Sequence, residues 1–295
     1  MSALSTPTPG TLPQLLGTSR PLSWINTAYP FAAAYLLAGG GVDVTLVVGT
    51  VFFLIPYNLL MYGVNDVFDH ESDLRNPRKG GVEGIVLDHR LHRLTLWAAG
   101  LSTLPFALAL LVIGDAVSGI VLLVVLAAVV GYSAPGLRLK ERPLLDSLTS
   151  STHFVGPAVF GLALSGAPVG LPAVASLVAF FLWGMASHAF GAVQDVQPDR
   201  DAGIGSIATV VGAARTVRLS MALYAAAGLV MLLAGWPAAL AGLLALPYLV
   251  SIWPFRAVCD DRAEQAHRGW RRFLWLNLGT GFLLTQLLIW LTLRS

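Results

Sequence analysis

Long apolar stretches, each close to the ~20 residues that an α-helix needs to cross a lipid bilayer, recur along almost the whole chain. Short turns or loops separate them, and these loops hold most of the charged residues. The pattern predicts an all-α integral membrane protein, in which nine transmembrane helices form a bundle around a central cavity capped by cytoplasmic loops. The predicted spans cover about residues 22–38, 44–64, 94–113, 117–133, 143–165, 172–193, 217–234, 237–254 and 273–292.

The composition supports this class. Of the 295 residues, 56% are hydrophobic and 12% are charged, and the mean hydropathy is +0.72, too apolar for a soluble domain of this length. The net charge of +2 comes from dispersed residues and gives no sign of nucleic-acid binding. The single cysteine, Cys259, excludes an intramolecular disulfide and a cysteine-based zinc cluster.

Charge placement predicts the orientation of the bundle. Nine spans place 17 of the 18 Lys and Arg residues on one side and only Arg294 on the other. Because basic residues collect in cytoplasmic loops, we expect the N-terminus and the charged loops in the cytoplasm and the C-terminus outside. Among the acidic residues, only Asp43 and Asp115 are predicted to face away from this side.

The N-terminal residues 1–19 differ from the rest of the chain. They are polar, rich in Pro and Thr, and lack the basic start and apolar core of a signal peptide. We expect a disordered tail over residues 1–19 and a single nine-helix domain over residues 20–295.

Four oxygen-bearing side chains lie at the end of the second predicted span, in a stretch that we name the first acidic segment, Asn65–Asp73. Asn65, Asp66, Asp69 and Asp73 fall within one sector about 100° wide on an α-helix. Acids held this close repel one another unless a cation lies between them. An all-oxygen donor set suits Mg²⁺ better than zinc, so the segment predicts a magnesium site.

A second acidic segment, Asp195–Asp199, follows the sixth predicted span, and its two aspartates share a helical face. Mg²⁺ ions between such segments allow a diphosphate to approach, and they stabilise the pyrophosphate that departs. Basic residues nearby can contact the phosphate oxygens directly: Arg75, Arg78, Lys79, Arg138, Lys140 and Arg200. An allylic isoprenoid on that diphosphate would ionise to a carbocation, which needs a dry, apolar cavity.

Other polar residues lie inside predicted spans. Asn58 and Tyr62 precede Asn65 on the same span and therefore lie deeper in the membrane. We expect them to line the substrate entrance, with helix packing as the alternative. His153 and His188 either line the cavity or make structural hydrogen bonds. A secondary transporter remains an alternative function, since buried acids also mark ion pathways, but transport expects charge near the bilayer midplane rather than at helix ends.

These residues resemble the motifs of the UbiA superfamily of membrane prenyltransferases. The stretch from Asn65 to Asp73 resembles the family's NDxxDxxxD signature, and Asp195–Asp199 resembles its DxxxD motif. The loop that contains Tyr132, Arg138 and Lys140 is similar to the loop between them. The resemblance implies that Asn65, Asp66, Asp69, Asp73, Asp195 and Asp199 hold Mg²⁺, that Arg75, Arg138 and Lys140 bind the diphosphate, and that Tyr132 lines the substrate pocket. It also implies that Asp66, Asp69, Asp195 and Asp199 are the catalytic aspartates.

Five stretches of the chain more closely resemble the lycopene elongases of bacterial carotenoid pathways that yield fifty-carbon products. They include Arg20–Leu37, Asn65–Gly84, Tyr132–Pro143, Leu148–Ala158 and Leu182–Ala213. This resemblance implies transfer of a dimethylallyl group from dimethylallyl diphosphate to each end of lycopene, in a bacterial cytoplasmic membrane. The alternative within the superfamily is another acceptor, such as an aromatic quinone precursor or another isoprenoid.

Overall fold

The fold consists of helices joined by short loops. The computed structural model describes residues 10–75 and 85–294, apart from the side chains of Ser72, Arg75 and Leu274, and no strand occurs within these residues. The α-helices are, in order, α1 (Thr11–Thr18), α2 (Ile25–Leu37), α3 (Val44–Leu54), α4 (Pro56–Phe68), α5 (His70–Arg75), α6 (His92–Ile113), α7 (Ala116–Ser133), α8 (Leu145–Leu164), α9 (Leu171–Val193), α10 (Val196–Asp201), α11 (Ile207–Val211), α12 (Ala213–Val230), α13 (Ala245–Ile252) and α14 (His267–Thr292).

Within the described residues, seven helical stretches are long and apolar enough to cross a membrane. They are Val44–Phe68, His89–Ile113, Ala116–Ser133, Leu171–Val193, Ala213–Ala234, Ala238–Phe255 and Asp260–Thr292. Two of the nine predicted spans, which correspond to α2 and α8, are helical but lie outside this group. Helix α2 has only 13 residues, and α8 carries several polar side chains.

Helix α8 lies in the interior of the bundle, where it packs against α2, α7 and α9. A Cβ atom on Gly161 would lie 2.5 Å from the carbonyl oxygen of Phe31, and one on Gly156 would lie 2.6 Å from Val125 Cγ2. Only glycine permits this close approach of helices. Because α8 is surrounded by other helices, its polar side chains form hydrogen bonds inside the protein. This position explains why the hydropathy of α8 falls below that of a lipid-facing helix.

The helix that carries the first acidic segment is broken at Pro56, which begins α4 directly after α3. The side-chain amide of Asn58 donates hydrogen bonds at this break to Phe53 O (2.8 Å), Leu54 O (3.1 Å) and Thr27 Oγ1 (2.8 Å). Asn58 is completely buried. Its side chain stabilises the break and joins it to α2, as the packing alternative expects, and its place at a substrate entrance stays a prediction.

Two hydrophobic cores hold the bundle together. The first joins α2, α3, α4, α6, α7 and α8 through stacked and edge-on rings, including Phe31, Phe53 and Phe160. The second joins the helices from α9 onward through rings that include Phe190, Tyr224 and Tyr248. The acidic segments belong to different halves, because the first extends from the end of α4 into α5 and the second follows α9.

The N-terminal segment is partly structured, which corrects the prediction of disorder over residues 1–19. Residues 1–9 lie outside the described residues, but Thr11–Thr18 form α1. Gln14 Oε1 accepts a hydrogen bond from the backbone N–H of Asp88 (3.1 Å), and Thr18 is completely buried. The helix packs on α4, and its buried side chains are the polar Gln14 and Thr18, whereas Leu12 and Leu16 are exposed. The buried side chains therefore give no apolar signal in the sequence.

The two acidic residues predicted to face away from the charged side are helix caps. Asp43 accepts a hydrogen bond from Leu46 N–H (2.9 Å) and begins α3. Asp115 accepts one from Ser118 N–H (2.8 Å) in a capping box that begins α7. The backbone N–H of Ser118 lowers the pKa of Asp115.

Candidate active site

The first acidic segment is nearly continuous in helical geometry. Helix α4 ends at Phe68 and α5 begins at His70, yet Asp69 N–H still donates to Asn65 O (2.9 Å) and Asp73 N–H to Asp69 O (2.8 Å). Asp66 is 1% exposed and Asp73 is 7% exposed. Carboxylates are buried to this degree only when charges or hydrogen bonds compensate them, so the surroundings of the segment have to be cationic.

Residues 134–144, between α7 and α8, provide part of that charge. Lys140 forms an ion pair with Asp69, and its Nζ lies 3.4 Å from Asn65 Oδ1. Arg138 Nη2 lies 3.6 Å from Asp69 Oδ1. At the end of α7, Ser133 Oγ donates to Asn65 Oδ1 (2.9 Å). Two residues predicted to bind diphosphate thus lie against two residues predicted to hold metal.

The backbone of this loop directs Arg138 toward the acidic segment. Arg138 has a φ of +39°, in the left-handed region that non-glycine residues rarely adopt. Its guanidinium also pairs with Glu141, and this hydrogen bond raises the pKa of Arg138. Arg138 therefore stays cationic beside Asp69 across the whole physiological pH range.

A third cation comes from the N-terminus of the chain. Arg20 Nη2 lies 3.1 Å from Asp66 Oδ1, and the guanidinium carbon stacks 4.2 Å above the centre of the Tyr62 ring. Arg20 follows α1 with a φ of +51°, so a strained turn presents it to Asp66. The predicted pocket residue Tyr62 is thus half-buried beneath a cation that contacts a predicted metal ligand.

The second acidic segment has a different environment. Asp195 precedes α10, and Asp199 N–H donates to Asp195 O (2.9 Å). Arg200 donates to Thr209 O (2.7 and 3.0 Å) and pairs with Asp260 Oδ2 at 2.7 Å. Its guanidinium therefore ties α10 to α11 and to the loop before α14. Arg200 could make its predicted phosphate contact only if these bonds to Thr209 and Asp260 were broken.

Residues 134–144 and the start of α8 also contact the chain between α10 and α11, just after the second acidic segment, so both segments lie toward one end of the bundle. A Cβ atom on Gly205 would lie 2.5 Å from Glu141 O. Asp146, which is completely buried in the first turn of α8, accepts a hydrogen bond from Ile207 N–H (2.7 Å) at the start of α11. This loop is the structural bridge between the two segments.

The donor chemistry fits magnesium, although the described residues contain no preassembled group of three or more Asp, Glu, His or Cys side chains that could hold a metal ion. Proteins usually bind Mg²⁺ through one or two carboxylates, and water and substrate phosphates complete the octahedron. The carboxylates of Asp66 and Asp69 are paired with Arg20, Lys140 and Arg138. Such a site suits a metal that binds together with a diphosphate.

Comparison with known proteins agrees with the geometry. The profile of the UbiA prenyltransferase family matches residues 27–278. The chain belongs to the UbiA prenyltransferase family. It is therefore a prenyltransferase and an integral membrane protein.

Relatives of this UbiA prenyltransferase include carotenoid proteins. The chain is 53% identical over 284 residues to the "C(50) beta-cyclic carotenoids biosynthesis protein LbtBC" of a Dietzia strain, and the match covers 96% of the chain and 66% of that protein. The chain is 51% identical over 275 residues to a lycopene elongase/hydratase of Corynebacterium glutamicum, with 93% and 96% covered. A lycopene elongase/hydratase of Haloarcula japonica is 32% identical, with 99% and 97% covered.

Solved UbiA structures share the fold. A UbiA homologue from Archaeoglobus fulgidus, bound to DMAPP and Mg²⁺, superposes with a TM-score of 0.66 at 18% identity, covering 90% of this chain and 98% of that one. The apo UbiA homologue from Aeropyrum pernix gives a TM-score of 0.62 at 18% identity, with 87% and 97% covered.

Sequence reasoning missed two residues of this UbiA site. For Arg20, the sequence offers its position before the first span and its place at the start of the resembling stretch Arg20–Leu37, but neither indicates Asp66 as its partner. Asp146 is an acid inside the predicted span 143–165, but its partner Ile207 is 61 residues away. The side chain of Arg75, and the whole of Arg78 and Lys79, lie outside the described residues, so their predicted phosphate contacts stay predictions.

Proposed function

We propose that the chain is a Mg²⁺-dependent intramembrane prenyltransferase that adds dimethylallyl units from dimethylallyl diphosphate to the ends of lycopene. One observation carries the proposal: Lys140 and Arg138 contact Asp69 within the segment that presents Asn65, Asp66 and Asp73. Diphosphate-binding cations and magnesium-type oxygen donors therefore share one site. The names of the relatives support lycopene as the acceptor, and the ligands of the Archaeoglobus structure support the donor and the metal.

In this proposal, the aspartates Asp66, Asp69, Asp73, Asp195 and Asp199 hold Mg²⁺ together with Asn65. Mg²⁺ held there would stabilise the negative charge of the diphosphate and of the departing pyrophosphate. Lys140 and Arg138 bind phosphate oxygens through charge-assisted hydrogen bonds. We extend this role to Arg75 from the sequence alone, and to Arg200 only if its bonds to Asp260 and Thr209 are exchanged.

The reaction breaks the allylic C–O bond, and the electron pair leaves with the pyrophosphate. The dimethylallyl carbon then forms a C–C bond with the terminal alkene of lycopene, and the positive charge moves to the acceptor. Tyr62 and Tyr132 provide aromatic faces beside this path, which stabilise a cation. The surrounding apolar helices exclude the water that would quench it.

We also propose that nine helices cross the membrane, with the N-terminus and both acidic segments in the cytoplasm and the C-terminus outside. The distribution of the basic residues supports this orientation. Helix α2 and the buried helix α8 supply the two crossings beyond the seven apolar ones. Fusion of a reporter that fluoresces only in the cytoplasm tests the C-terminus: we expect no signal there, and bright fluorescence would contradict the orientation.

Pigment analysis tests the function. The wild-type chain, expressed in a bacterium that accumulates lycopene and makes dimethylallyl diphosphate, should convert the forty-carbon pigment into forty-five- and fifty-carbon carotenoids. An Asp66→Ala variant, expressed to the same level, should leave lycopene unchanged and serves as the matched control. Lycopene that stays unchanged with the wild-type chain, at good expression and donor supply, would refute the acceptor.

A further inference from the structure

Three polar side chains form a connected chain across α7, α8 and α9. Tyr132 Oη lies 3.1 Å from His188 Nε2, and His188 Nδ1 lies 3.2 Å from Ser147 Oγ. Both ring nitrogens of His188 therefore have hydroxyl partners on opposite sides. An imidazole held in this way can receive a proton on one nitrogen while the other is hydrogen-bonded.

This chain begins immediately beside the first acidic segment. Tyr132 precedes Ser133, which donates a hydrogen bond to Asn65 Oδ1 (2.9 Å). Tyr132 is also within electrostatic range of Asp69 and Tyr62. Tyr132 thus lies within electrostatic range of the segment where the proposed function generates its cation, and His188 and Ser147 continue the chain of contacts from its hydroxyl.

A buried negative charge lies at the far end. Asp146 directly precedes Ser147, is completely buried, and is within electrostatic range of His188. Its two oxygens accept hydrogen bonds from the backbone N–H groups of Ser147 and Ile207, each at 2.7 Å. A fixed carboxylate near the imidazole offsets part of the cost of burying a positively charged ring.

The other histidine in contact with Tyr132 lacks these features. His153 packs its ring edge-on against Tyr132, with 4.9 Å between the ring centres, and it is 3% exposed. Its Nε2 lies 3.4 Å from Ala128 O, a backbone carbonyl that cannot pass on a proton. His153 is therefore a natural control for His188.

We propose that Tyr132 and His188 form the proton acceptor that ends the reaction, with Ser147 as the residue that positions the imidazole. This inference rests on the proposed function. After the C–C bond forms, a C–H bond next to the acceptor cation breaks, and its electron pair becomes the new alkene. The proton passes to Tyr132 Oη as the hydroxyl proton of Tyr132 moves to Nε2 of His188. If water adds to the cation instead, the proton that the water loses takes the same route.

The test compares His188→Gln and Tyr132→Phe with His153→Gln in membranes supplied with Mg²⁺, dimethylallyl diphosphate and lycopene. General acid–base groups contribute about 100-fold or more to rate. We expect kcat for elongated carotenoid to fall about 100-fold in His188→Gln and Tyr132→Phe, and KM for dimethylallyl diphosphate to stay within about twofold of the wild-type value. His153→Gln should keep kcat within about threefold.

The opposite results would overturn the assignment. One such result is that the kcat values of His188→Gln and Tyr132→Phe match that of His153→Gln. The other is that the two substitutions raise KM for dimethylallyl diphosphate and leave kcat unchanged. Tyr132→Phe keeps the ring and removes only the hydroxyl, so it decides the question if His188→Gln does not accumulate. Failure of the proposed function would appear in the wild-type protein as an absence of elongated product, whereas failure of this inference appears only in the variants.

Discussion

The two acidic segments share a spacing of four residues between aspartates, but the structure surrounds them differently. In the first segment, cations from distant parts of the chain contact Asp66 and Asp69: Arg20 from the N-terminus, and Arg138 and Lys140 from the loop after α7. In the second, the adjacent cation Arg200 is directed to Asp260 and Thr209. The comparison teaches that the motif spacing predicts the metal ligands, whereas the tertiary fold decides which cations lie beside them.

The largest effect on prenyl transfer is expected when one aspartate is removed from either segment. Asp66→Ala and Asp195→Ala should each lower prenyl transfer by more than about 100-fold, because each removes a ligand of the ions that stabilise the leaving group. Product formation in membranes measures this. Asp201→Asn is the matched control, since Asp201 is exposed at the end of α10, and it should retain activity within about twofold.

Both aspartate variants should still insert in the membrane at wild-type levels. Turnover like that of the wild type in either one would contradict the assignment of that segment.

The basic residues sharpen the comparison. Lys140→Met should raise KM for dimethylallyl diphosphate by about 10- to 100-fold, because a charge-assisted hydrogen bond is worth about 1.5–3 kcal/mol. Arg200→Met should raise KM by only about twofold, because its guanidinium serves the fold. Steady-state kinetics of the two variants, with Lys140→Arg as the charge-conserving control, measure the difference. An equal rise in KM for Lys140→Met and Arg200→Met would remove the distinction between the segments.

Much of this site was predictable from the sequence, and the reason is local. The positions of Asn65, Asp66, Asp69 and Asp73 on one helical face follow from helix periodicity, and the apolar stretches mark most of the helices. The resemblance singles out the loop with Arg138 and Lys140, and both residues contact Asp69 in the structure. Their phosphate role stays a prediction.

Long-range pairs were not predictable. Arg20 meets Asp66 across 46 residues of sequence, and Arg200 meets Asp260 across 60, so only the packed bundle decides these partners. The hydrogen bonds of Asn58 at the helix break were not predictable either, because a buried amide at such a break has the same sequence pattern as one that faces a pocket. Helix α1 was missed because a short helix that packs on one side has little apolar signal.

Arg20 tests whether the first segment depends on a cation from the N-terminus. Arg20→Gln should lower kcat/KM about tenfold, because Asp66 loses a charged partner while the metal ligands remain. Arg20→Lys should restore part of the activity, since it keeps the charge but loses the planar contact with Tyr62. Kinetics at fixed Mg²⁺ measure both variants, and wild-type values for Arg20→Gln would show that the ion pair is dispensable.

The smallest expected effect concerns the second segment. Asp260→Asn should leave prenyl transfer within about twofold and lower the free energy of unfolding by about 1 kcal/mol, because the Arg200–Asp260 pair is partly exposed and screened. Thermal unfolding in detergent, beside an activity assay, measures the two quantities. A large loss of activity without a loss of stability would place Arg200 and Asp260 in the chemistry instead.

The central claim is that both acidic segments bind a single diphosphate through Mg²⁺. Calorimetric titration of dimethylallyl diphosphate into the purified protein, with and without Mg²⁺, tests it most directly. We predict binding of one diphosphate per chain only when Mg²⁺ is present, and loss of that binding in both Asp66→Ala and Asp195→Ala. Binding that needs no Mg²⁺, or that survives in one of the two variants unchanged, would contradict the account.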